Sequence, residues 1–299
     1  MSTPDPDASD ARAAFDRLLV ALRPRLHRYA ARMTGSVIDG EDVVQDALLK
    51  AVEAYPAAVP IANPEGWLFR VAHNAALDHL RRRARQATAP EEELAMIPDP
   101  VDVIADRQIA ATSLRQFMRL PVAQRSSVIL MDVLGYSLAE IGDIADMSVA
   151  AVKAALHRGR ERLRELAAEP DEAPLPVLTE PQRVLLAAYV DRFNARDFDA
   201  IRDMLADEVR LELVARTRLN GRREVGTYLH NYAETADWRF APGLVEGRPA
   251  VLVTRPDDPT GKPAYFILLE WERDRVTAIR DFRYAAYAIE GAEVSSSDR

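Results

Sequence analysis

The stretch that decides the fold of the middle of the chain is Ser137-Leu-Ala-Glu-Ile-Gly-Asp-Ile-Ala-Asp-Met-Ser148-Val-Ala-Ala-Val-Lys153-Ala-Ala-Leu-His-Arg158. Ser137 and Glu140 have capping-box spacing, in which each side chain accepts a hydrogen bond from the other residue's amide. Ser148 can cap a second helix in the same way. The stretch therefore predicts two short helices around a tight turn, a helix-turn-helix. One apolar face of each helix would be buried, formed by Leu138, Ile141, Ile144, Ala145, Val149, Val152 and Leu156.

The composition is that of an ordinary globular chain. With 299 residues, 48% of them hydrophobic and 29% charged, we expect two or three compact units. The chain has no cysteine, which excludes disulfides and thiolate sites, and its five histidines lack metal-ligand spacing. We therefore expect no metal and no cofactor. The acidic N-terminus and the lack of a long apolar window predict a cytoplasmic protein without membrane contact.

Charge is distributed unevenly along the chain. The net charge of −8 alone would argue against a nucleic-acid partner. However, residues 81–85 and 153–164 are basic, whereas residues 5–10, 91–106 and 165–180 are acidic. Because local patches matter more than the sum, nucleic-acid binding stays open.

Periodicity and composition divide the chain into segments. Helical patterns give way to β-like runs at 209–214, 247–254, 264–271 and 276–284, which predicts two all-α domains followed by an α+β domain with a curved antiparallel sheet. The predicted segments are a disordered acidic tail 1–11, a helical domain 12–85, an acidic linker 86–103, a helix-turn-helix domain 104–168, a Pro-rich linker 169–180, the α+β domain 181–289 and a disordered tail 290–299.

The second predicted helix carries an acidic face. The first predicted helix should end near Gly35, and Asp39 is expected to cap the second. Burial of Val44 and Leu48 would leave one side polar. That side comprises Glu41, Asp42, Gln45 and Asp46. Its simplest interpretation is a solvated face beside the helix dipole. A loop from Tyr55 to Asn63 follows, and Asn63-Pro64 should open a third helix.

This acidic run resembles the region of extracytoplasmic-function (ECF) sigma factors that docks on the β′ clamp helices of RNA polymerase. The resemblance continues through Pro64-Glu-Gly-Trp67-Leu-Phe-Arg70-Val-Ala-His-Asn74-Ala-Ala-Leu-Asp78-His-Leu-Arg81-Arg-Arg, which is similar to the promoter-melting helix of that family, and resumes in the helix-turn-helix. It implies a sigma factor whose partners are core RNA polymerase, through the β′ clamp helices and β flap, and promoter DNA. The acidic run implies the polymerase-binding residues Glu41, Asp42, Gln45 and Asp46.

The same resemblance implies two sets of DNA-binding residues. In the melting helix they are Arg70, Asn74, Arg81, Arg82 and Arg85, and in the helix-turn-helix Ser148, Lys153, His157, Arg158, Arg160 and Arg162. The loop from Tyr55 to Asn63 would receive an unstacked base. An ion pair between Asp78 and Arg81 or Arg82 is the structural alternative. Since Ala151, Ala154 and Ala155 occupy the expected reading positions, we expect weak direct readout of sequence.

The last domain resembles the SnoaL-like branch of the nuclear transport factor two-like fold, over about residues 181–289. The motifs that carry this resemblance lie in residues 189–209, 220–226 and 247–253. Such a domain encloses a cone-shaped cavity, and a buried Asp or His there would have a shifted pKa. The candidate cavity residues are Glu212, Arg216, His230, Tyr232, Trp238, Asp281 and Arg283. They are alternatively satisfied polar groups or residues of domain contacts.

The leading interpretation is an ECF sigma factor, not an enzyme, whose last domain regulates it by docking or by binding a small ligand. One alternative is a helix-turn-helix regulator that acts without polymerase. Another makes the last domain a SnoaL-like enzyme. The inducing signal, the promoter sequence and any anti-sigma partner stay open.

Overall fold

The computed structural model describes residues 6–58, 60–87, 113–168, 177–232 and 238–296. The chain forms two compact units, Met1–Asp171 and Glu172–Arg299. Most of the predicted acidic linker 86–103 and of the Pro-rich linker 169–180 lies outside the described residues. Within the described ranges, no helix combines the length and the apolar character needed to span a membrane.

The N-terminal unit is helical, as predicted. Its helices are α1 (Pro6–Thr34), α2 (Val37–Ala58), α3 (Pro64–Ala87), α4 (Leu114–Met118), α5 (Val122–Val128), a π-helical continuation (Ile129–Val133), α6 (Leu138–Ala145) and α7 (Val149–Ala167). They share one apolar core, in which Tyr29, Phe69 and Phe117 are fully buried.

Three helix boundaries of this unit differ from the prediction. Helix α1 begins at Pro6, inside the segment predicted as a disordered tail. Ser36, rather than Asp39, caps α2, because the Asp39 amide donates to Ser36 Oγ at 3.1 Å. Helix α2 also continues to Ala58, which shortens the loop predicted to start at Tyr55. Propensity alone marks such ends only to within a few residues.

The helix-turn-helix forms as predicted, with the predicted caps. Ser137 Oγ accepts from the Glu140 amide at 3.4 Å, and Glu140 Oε2 accepts from the Ser137 amide at 2.8 Å. Ser148 Oγ accepts from the Ala151 amide at 3.2 Å and starts α7. Local hydrogen bonding therefore sets both helix starts.

The turn between α6 and α7 depends on two residues. Asp146 has a φ of 55°, a left-handed conformation that Asp tolerates better than most residues. A Cβ on Gly142 would lie 2.7 Å from the Met147 carbonyl oxygen. Glycine is thus required for the chain to fold back on the end of α6.

The C-terminal unit has the predicted α+β class. Its elements are α8 (Glu180–Asn194), α9 (Phe198–Met204), β1 (Leu205–Leu213), β2 (Thr217–Asn220), α10 (Arg222–Leu229), a 3₁₀ turn (His230–Tyr232), β3 (Arg239–Val245), β4 (Arg248–Thr254), β5 (Tyr265–Glu272), β6 (Arg275–Asp281), a 3₁₀ segment (Arg283–Ile289) and β7 (Val294–Ser296). Strand order is β2-β1-β6-β5-β4-β3-β7, and the β1–β6 pair is parallel among otherwise antiparallel pairs. Register shifts in the β1–β6 and β5–β6 pairs bend the sheet.

Strand β7 lies in the segment predicted as a disordered tail, so that prediction was wrong. It pairs antiparallel with β3, from Gly243↔Ser296 to Val245↔Val294. Pairing satisfies backbone groups that an open edge of β3 would leave exposed. A Cβ on Gly243 would lie 2.7 Å from the Ser295 carbonyl oxygen, so this glycine permits the close approach.

Candidate functional site

The acidic side of α2 is narrower than predicted. Asp42 is exposed, and Gln45 and Asp46 are half-buried. Glu41 is fully buried and forms an ion pair with Arg23 of α1. The prediction that Glu41 belongs to the exposed side was wrong, because α2 turns that position towards α1 and Arg23 neutralises it there. We call Asp42, Gln45 and Asp46 the α2 acidic face.

An exposed leucine extends this face by one turn. Leu49 follows Asp42 by seven residues and Asp46 by three, and it is 58% exposed. Seven residues are about two helical turns, so the leucine lies on the same side of α2. The predicted stripe included Leu48 but not Leu49, although an apolar residue at this spacing was readable from the sequence.

The basic end of α3 is exposed and lightly paired. Arg81 donates to Asp78 at 3.3 Å, which confirms the predicted ion pair, whereas Arg82 donates to Asp46 at 3.3 Å. Arg85 is exposed, and so is Asn74, eleven residues earlier on the same helix. Exposed pairs of this kind contribute about 0–1 kcal/mol, so phosphates can displace them at small cost.

Arg70 is engaged by the helix-turn-helix. Its Nε donates to the Asp143 carbonyl oxygen at 2.8 Å. Beside this contact lies a cavity of about 190 Å³, lined by Ile61, Asn63, Gly66, Trp67, Arg70, Glu140, Asp143 and Ile144. The loop predicted to receive an unstacked base thus faces α6.

The residues of helix α7 that are predicted to bind DNA differ in exposure. Lys153 is exposed, and His157 and Arg158 are half-buried. Arg162 pairs with Glu165 at 2.6 Å on the surface. Ser148 is occupied as the N-cap, and its hydroxyl accepts from the Ala151 amide.

Arg160 points inward. Its Nε donates to Asp132 Oδ2 at 2.9 Å, and Nη2 donates to the other carboxylate oxygen of Asp132, whose side chain is 1% exposed. The Arg160 guanidinium is therefore committed to Asp132 in this structure, and its assignment to phosphate stays a prediction. Ala154 and Ala155 are also buried, so they do not face a groove. The reason is that α7 packs on α5 through a wider stripe than the periodicity indicated.

In the C-terminal unit, Asp281 is the centre of a buried polar cluster. One carboxylate oxygen accepts from the hydroxyls of Tyr232 and, at 3.5 Å, Tyr228. The other accepts from the Arg283 amide at 2.8 Å, and the Arg283 guanidinium lies 5.1 Å from the Tyr232 ring centre. Burial raises the pKa of Asp281, and burial together with the Asp281 charge raises the pKa of Tyr232.

Trp238 contacts Tyr265, and the centres of these two rings are 5.3 Å apart. Burial and then the charge of Asp281 raise the pKa of Tyr265. Tyr228 and Tyr265 were missing from the predicted cavity residues. The spacing of Tyr228 and Tyr232, four residues apart, was a readable sign that they share one side of a helix.

Three predicted cavity residues lie elsewhere. Glu212 pairs with Arg280 at 2.8 Å and Arg218 at 3.0 Å. Because Leu213 is in register with Asp281, Glu212 is on the opposite face of the sheet. Arg216 is exposed, with its guanidinium 4.4 Å from the ring centre of Tyr284.

His230 is exposed in a separate groove of about 600 Å³. The other residues lining this groove are Arg202, Arg222, Arg223, Gly226 and Thr227. Among the described residues, no group of three or more His, Asp or Glu side chains could hold a metal ion.

Asp281→Asn is expected to remove an acid-range pH dependence from the stability of the C-terminal unit. The folded state raises the pKa of this carboxyl above its ordinary 3.8, so folding favours the protonated form. Stability from this group is therefore present at low pH and is lost as pH rises through the folded pKa. Asparagine stays neutral, and we expect its unfolding midpoint to exceed that of the parent increasingly as pH rises.

Tryptophan-fluorescence melts of the full chain, from about pH 4 to about pH 8, measure this difference. Asp274→Asn, at an exposed position, is the matched control and should follow the parent. The expectation would be contradicted if the unfolding midpoint of the parent rose relative to that of Asp281→Asn as the pH increased.

Comparison with known proteins identifies two family matches and two similar sigma factors. Residues 18–86 match the Sigma-70 region 2 family, and residues 114–163 match the Sigma-70, region 4 family. The ECF RNA polymerase sigma factor SigM of Mycobacterium tuberculosis is 36% identical over 160 residues, which cover 52% of this chain and 78% of SigM. SigG of the same organism is 28% identical over 306 residues, covering 92% of this chain and 82% of SigG.

A solved NTF2-like protein of unknown function from Cytophaga hutchinsonii is 18% identical, with a TM-score of 0.26, and covers 33% of this chain and 96% of its own. The α+β class of the C-terminal unit itself follows from the strand order described above. With both sigma-70 regions matched in order, and 36% identity shared over most of SigM, the chain belongs to the ECF RNA polymerase sigma factors.

Proposed function

We propose that the chain binds core RNA polymerase, recognises promoter DNA and initiates transcription, with its C-terminal unit modulating that activity. The observation that carries the proposal is the presence in one unit of an α2 acidic face whose Asp42 is exposed and of a helix-turn-helix with both N-caps formed and an exposed Lys153 on its second helix. A protein of this function works in the cytoplasm, where the polymerase and promoters are.

Each element has a proposed partner. The α2 acidic face would bind the β′ clamp helices, and the helix-turn-helix half would reach the β flap and the upstream duplex. The exposed end of α3, with Asn74, Arg81, Arg82 and Arg85, would hold phosphates and bases of the melting region.

The test is run-off transcription by the full chain with purified bacterial core RNA polymerase, on promoters enriched from the source genome. Transcripts that require both the chain and core support the proposal. The rival regulator predicts equal promoter binding with and without polymerase and no initiation. Gel-shift titrations with and without core therefore separate the two.

Lys153→Ala is expected to weaken promoter binding about equally across sequences. With Arg160 paired to Asp132 and Ala154 and Ala155 buried, Lys153 is an exposed long donor early in α7. Loss of one phosphate contact should reduce the slope of log affinity against log salt by about 0.9. Lys262→Ala, an exposed lysine of the C-terminal unit, is the charge-matched control. A loss confined to one promoter sequence would instead indicate base readout.

For the C-terminal unit we propose regulation, through docking or a small ligand, rather than catalysis. Similarity to SigG over 92% of this chain supports a role that accompanies sigma activity. The Asp281 carboxylate already has protein donors on both oxygens, which favours a structural role for it. A SnoaL-like enzyme predicts instead that Tyr232→Phe abolishes turnover without unfolding the unit. An anti-sigma partner stays a proposal, testable by co-purification with the full chain.

A further inference from the structure

The groove beside His230 in the C-terminal unit, which we call the α9–α10 groove, is lined mainly by cationic side chains. Its lining residues are Arg202, Arg222, Arg223, Gly226, Thr227 and His230. Three of the six carry guanidinium groups, and none carries a carboxylate. Its volume of about 600 Å³ lies in the range of roughly 300–1,000 Å³ that is typical of small-molecule sites. The groove is therefore large enough for a small organic molecule and favours a negatively charged one.

The exposed side of α10 forms one wall of this groove. Arg223, Thr227 and His230 are exposed, and their spacing of four and then three residues places them on one side of the helix. Val225 and Leu229 are instead buried in the core of the C-terminal unit. The groove is therefore reached from solvent and is separate from the buried polar cluster of this unit.

Gly226 keeps the floor of the groove open. A Cβ at this position would lie 3.1 Å from Cδ of Arg202, so the Arg202 stem passes close to the backbone of α10. Glycine in a helix interior weakens the helix relative to alanine. What it provides here is the close approach of Arg202 and an open space between Arg222 and His230, four residues to either side.

The start of α10 is electrostatically unfavourable for the arginines that it carries. Arg222 and Arg223 lie in its first turn, where the helix dipole disfavours cations, and the N-cap is Gly221, which offers no side-chain acceptor. Glu224 of the same turn accepts from the Asn220 amide at 3.2 Å. The Nε atom of Arg222 is buried and has no hydrogen-bond partner among the described residues. An anion bound in the groove would relieve this concentration of unsatisfied positive charge.

Two carboxylates outside the lining compete with such an anion. Asp207 pairs with Arg222 at 3.0 Å, and Asp199 pairs with Arg202 at 2.9 Å. The two aspartate side chains are 87% and 75% exposed, so these pairs are weak and an anion can displace them. Arg223 is exposed and forms no ion pair within the described ranges. Three guanidinium groups against two exposed carboxylates leave the groove with a net positive charge.

We propose that the α9–α10 groove binds a small ligand that carries a phosphate group. A guanidinium fork matches two phosphate oxygens at once, which makes arginine well suited to phosphate recognition. The organic part of the ligand would lie beside His230, whose ring centre is 5.6 Å from that of Phe198. The inference deepens the proposed regulation by the C-terminal unit, because it names the chemical class of the ligand, and it rests on that proposed function for the consequence of binding.

Isothermal titration calorimetry of the full chain tests the groove, with pyrophosphate and ADP as the probes. We expect saturable binding of at least one probe, and an affinity at least about tenfold lower in Arg223→Ala, since charge-assisted hydrogen bonds are lost. Arg239→Ala, at an exposed arginine outside the groove, is the matched control and should bind as the parent does. Binding of neither probe at millimolar concentration, or equal affinity in Arg223→Ala, would overturn the proposal.

A second variant separates a shaped site from diffuse positive charge. Gly226→Leu keeps every charge of the groove but fills its floor, so it should bind the probes no better than Arg223→Ala does. A thermal melt shows whether this variant folds. Unchanged affinity in a folded Gly226→Leu chain contradicts a shaped site, and if the variant does not fold, Arg223→Ala at its exposed position decides the question.

Promoter DNA also carries phosphates, so it is the rival occupant of the groove. Weaker promoter binding by Arg223→Ala, with neither small probe bound, would make the groove a nucleic-acid surface and overturn the proposal. The titrations contain no polymerase. A chain that binds the probes as expected but fails in run-off transcription would therefore overturn the sigma function and leave the ligand site standing.

Discussion

The double variant Asp42→Lys, Asp46→Lys is expected to lose run-off transcription by at least about a hundredfold. Reversing two charges at a docking surface places like charges opposite the partner, which costs several kcal/mol, and each 1.4 kcal/mol is tenfold in affinity. Affinity for core polymerase, measured by fluorescence anisotropy of the labelled full chain, should fall by a similar factor.

The fold of this variant has to be checked, because Asp46 also pairs with Arg82. Both side chains are about half-exposed, so losing the pair should cost no more than about 1 kcal/mol. The double variant Glu208→Lys, Asp274→Lys, at exposed acidic positions in the C-terminal unit, repeats the same charge change away from the α2 acidic face. Wild-type transcription by the double variant would rule out α2 as the polymerase-binding surface.

Asp132→Ala is expected to destabilise the N-terminal unit by about 3–5 kcal/mol, because it leaves Arg160 without its buried partner. The Asp132 side chain is 1% exposed and that of Arg160 is 18% exposed, so water compensates little. Urea unfolding of the full chain, followed by circular dichroism at the helical band, measures the loss. Since whole domains are stable by only about 5–15 kcal/mol, this loss is a large fraction of the total.

Three further variants separate structural from DNA-binding roles. Arg162→Ala removes an exposed arginine that pairs with exposed Glu165, and should change stability by less than about 1 kcal/mol. Replacing both partners, as Asp132→Leu with Arg160→Met, should recover most of the stability that Asp132→Ala loses. An Arg160→Ala variant that folds normally yet loses promoter affinity would restore Arg160 to the DNA surface.

Local signals made the helix-turn-helix predictable from sequence. Both caps depend on side chains within three residues of the amides that they satisfy, so Ser137, Glu140 and Ser148 could be placed without knowing the rest of the fold. The ion pair of Asp78 with Arg81 is similarly local.

The side to which a charged residue turns was harder to predict. Glu41 and Arg160 are charged residues at the margin of an apolar stripe. Each is paired with a residue distant in sequence, Glu41 with Arg23 and Arg160 with Asp132, which allows Glu41 to be fully buried and Arg160 to be partly buried. Spacing along one helix carries no information about such a partner.

Glu212 differs, because the signal was present. Val209, Leu211 and Leu213 alternate inward along β1, so the residue between the last two had to face the other way. The grouping of Asp281 with Tyr232 was anticipated, although the donors that satisfy Asp281 depend on how α10 crosses the sheet.

The π-helical segment Ile129–Val133 has a consequence for the rotational phase of the helices that follow it. In it the Leu134 amide donates to the Ile129 carbonyl oxygen, five residues back rather than four, so the helix contains one residue more than an α-helix would need. One residue corresponds to about 100° around a helix axis. Deleting Met131 would remove the surplus residue and let the segment relax to a regular α-helix, with the residues that follow kept at their present angle. A one-residue deletion in the regular helix α5 would instead turn everything that follows by about 100°, and would break the hydrogen bond that the Tyr136 hydroxyl donates to Glu65 Oε1 at 2.6 Å. The widened turn thus absorbs a change of length that a regular helix would convert into a rotation.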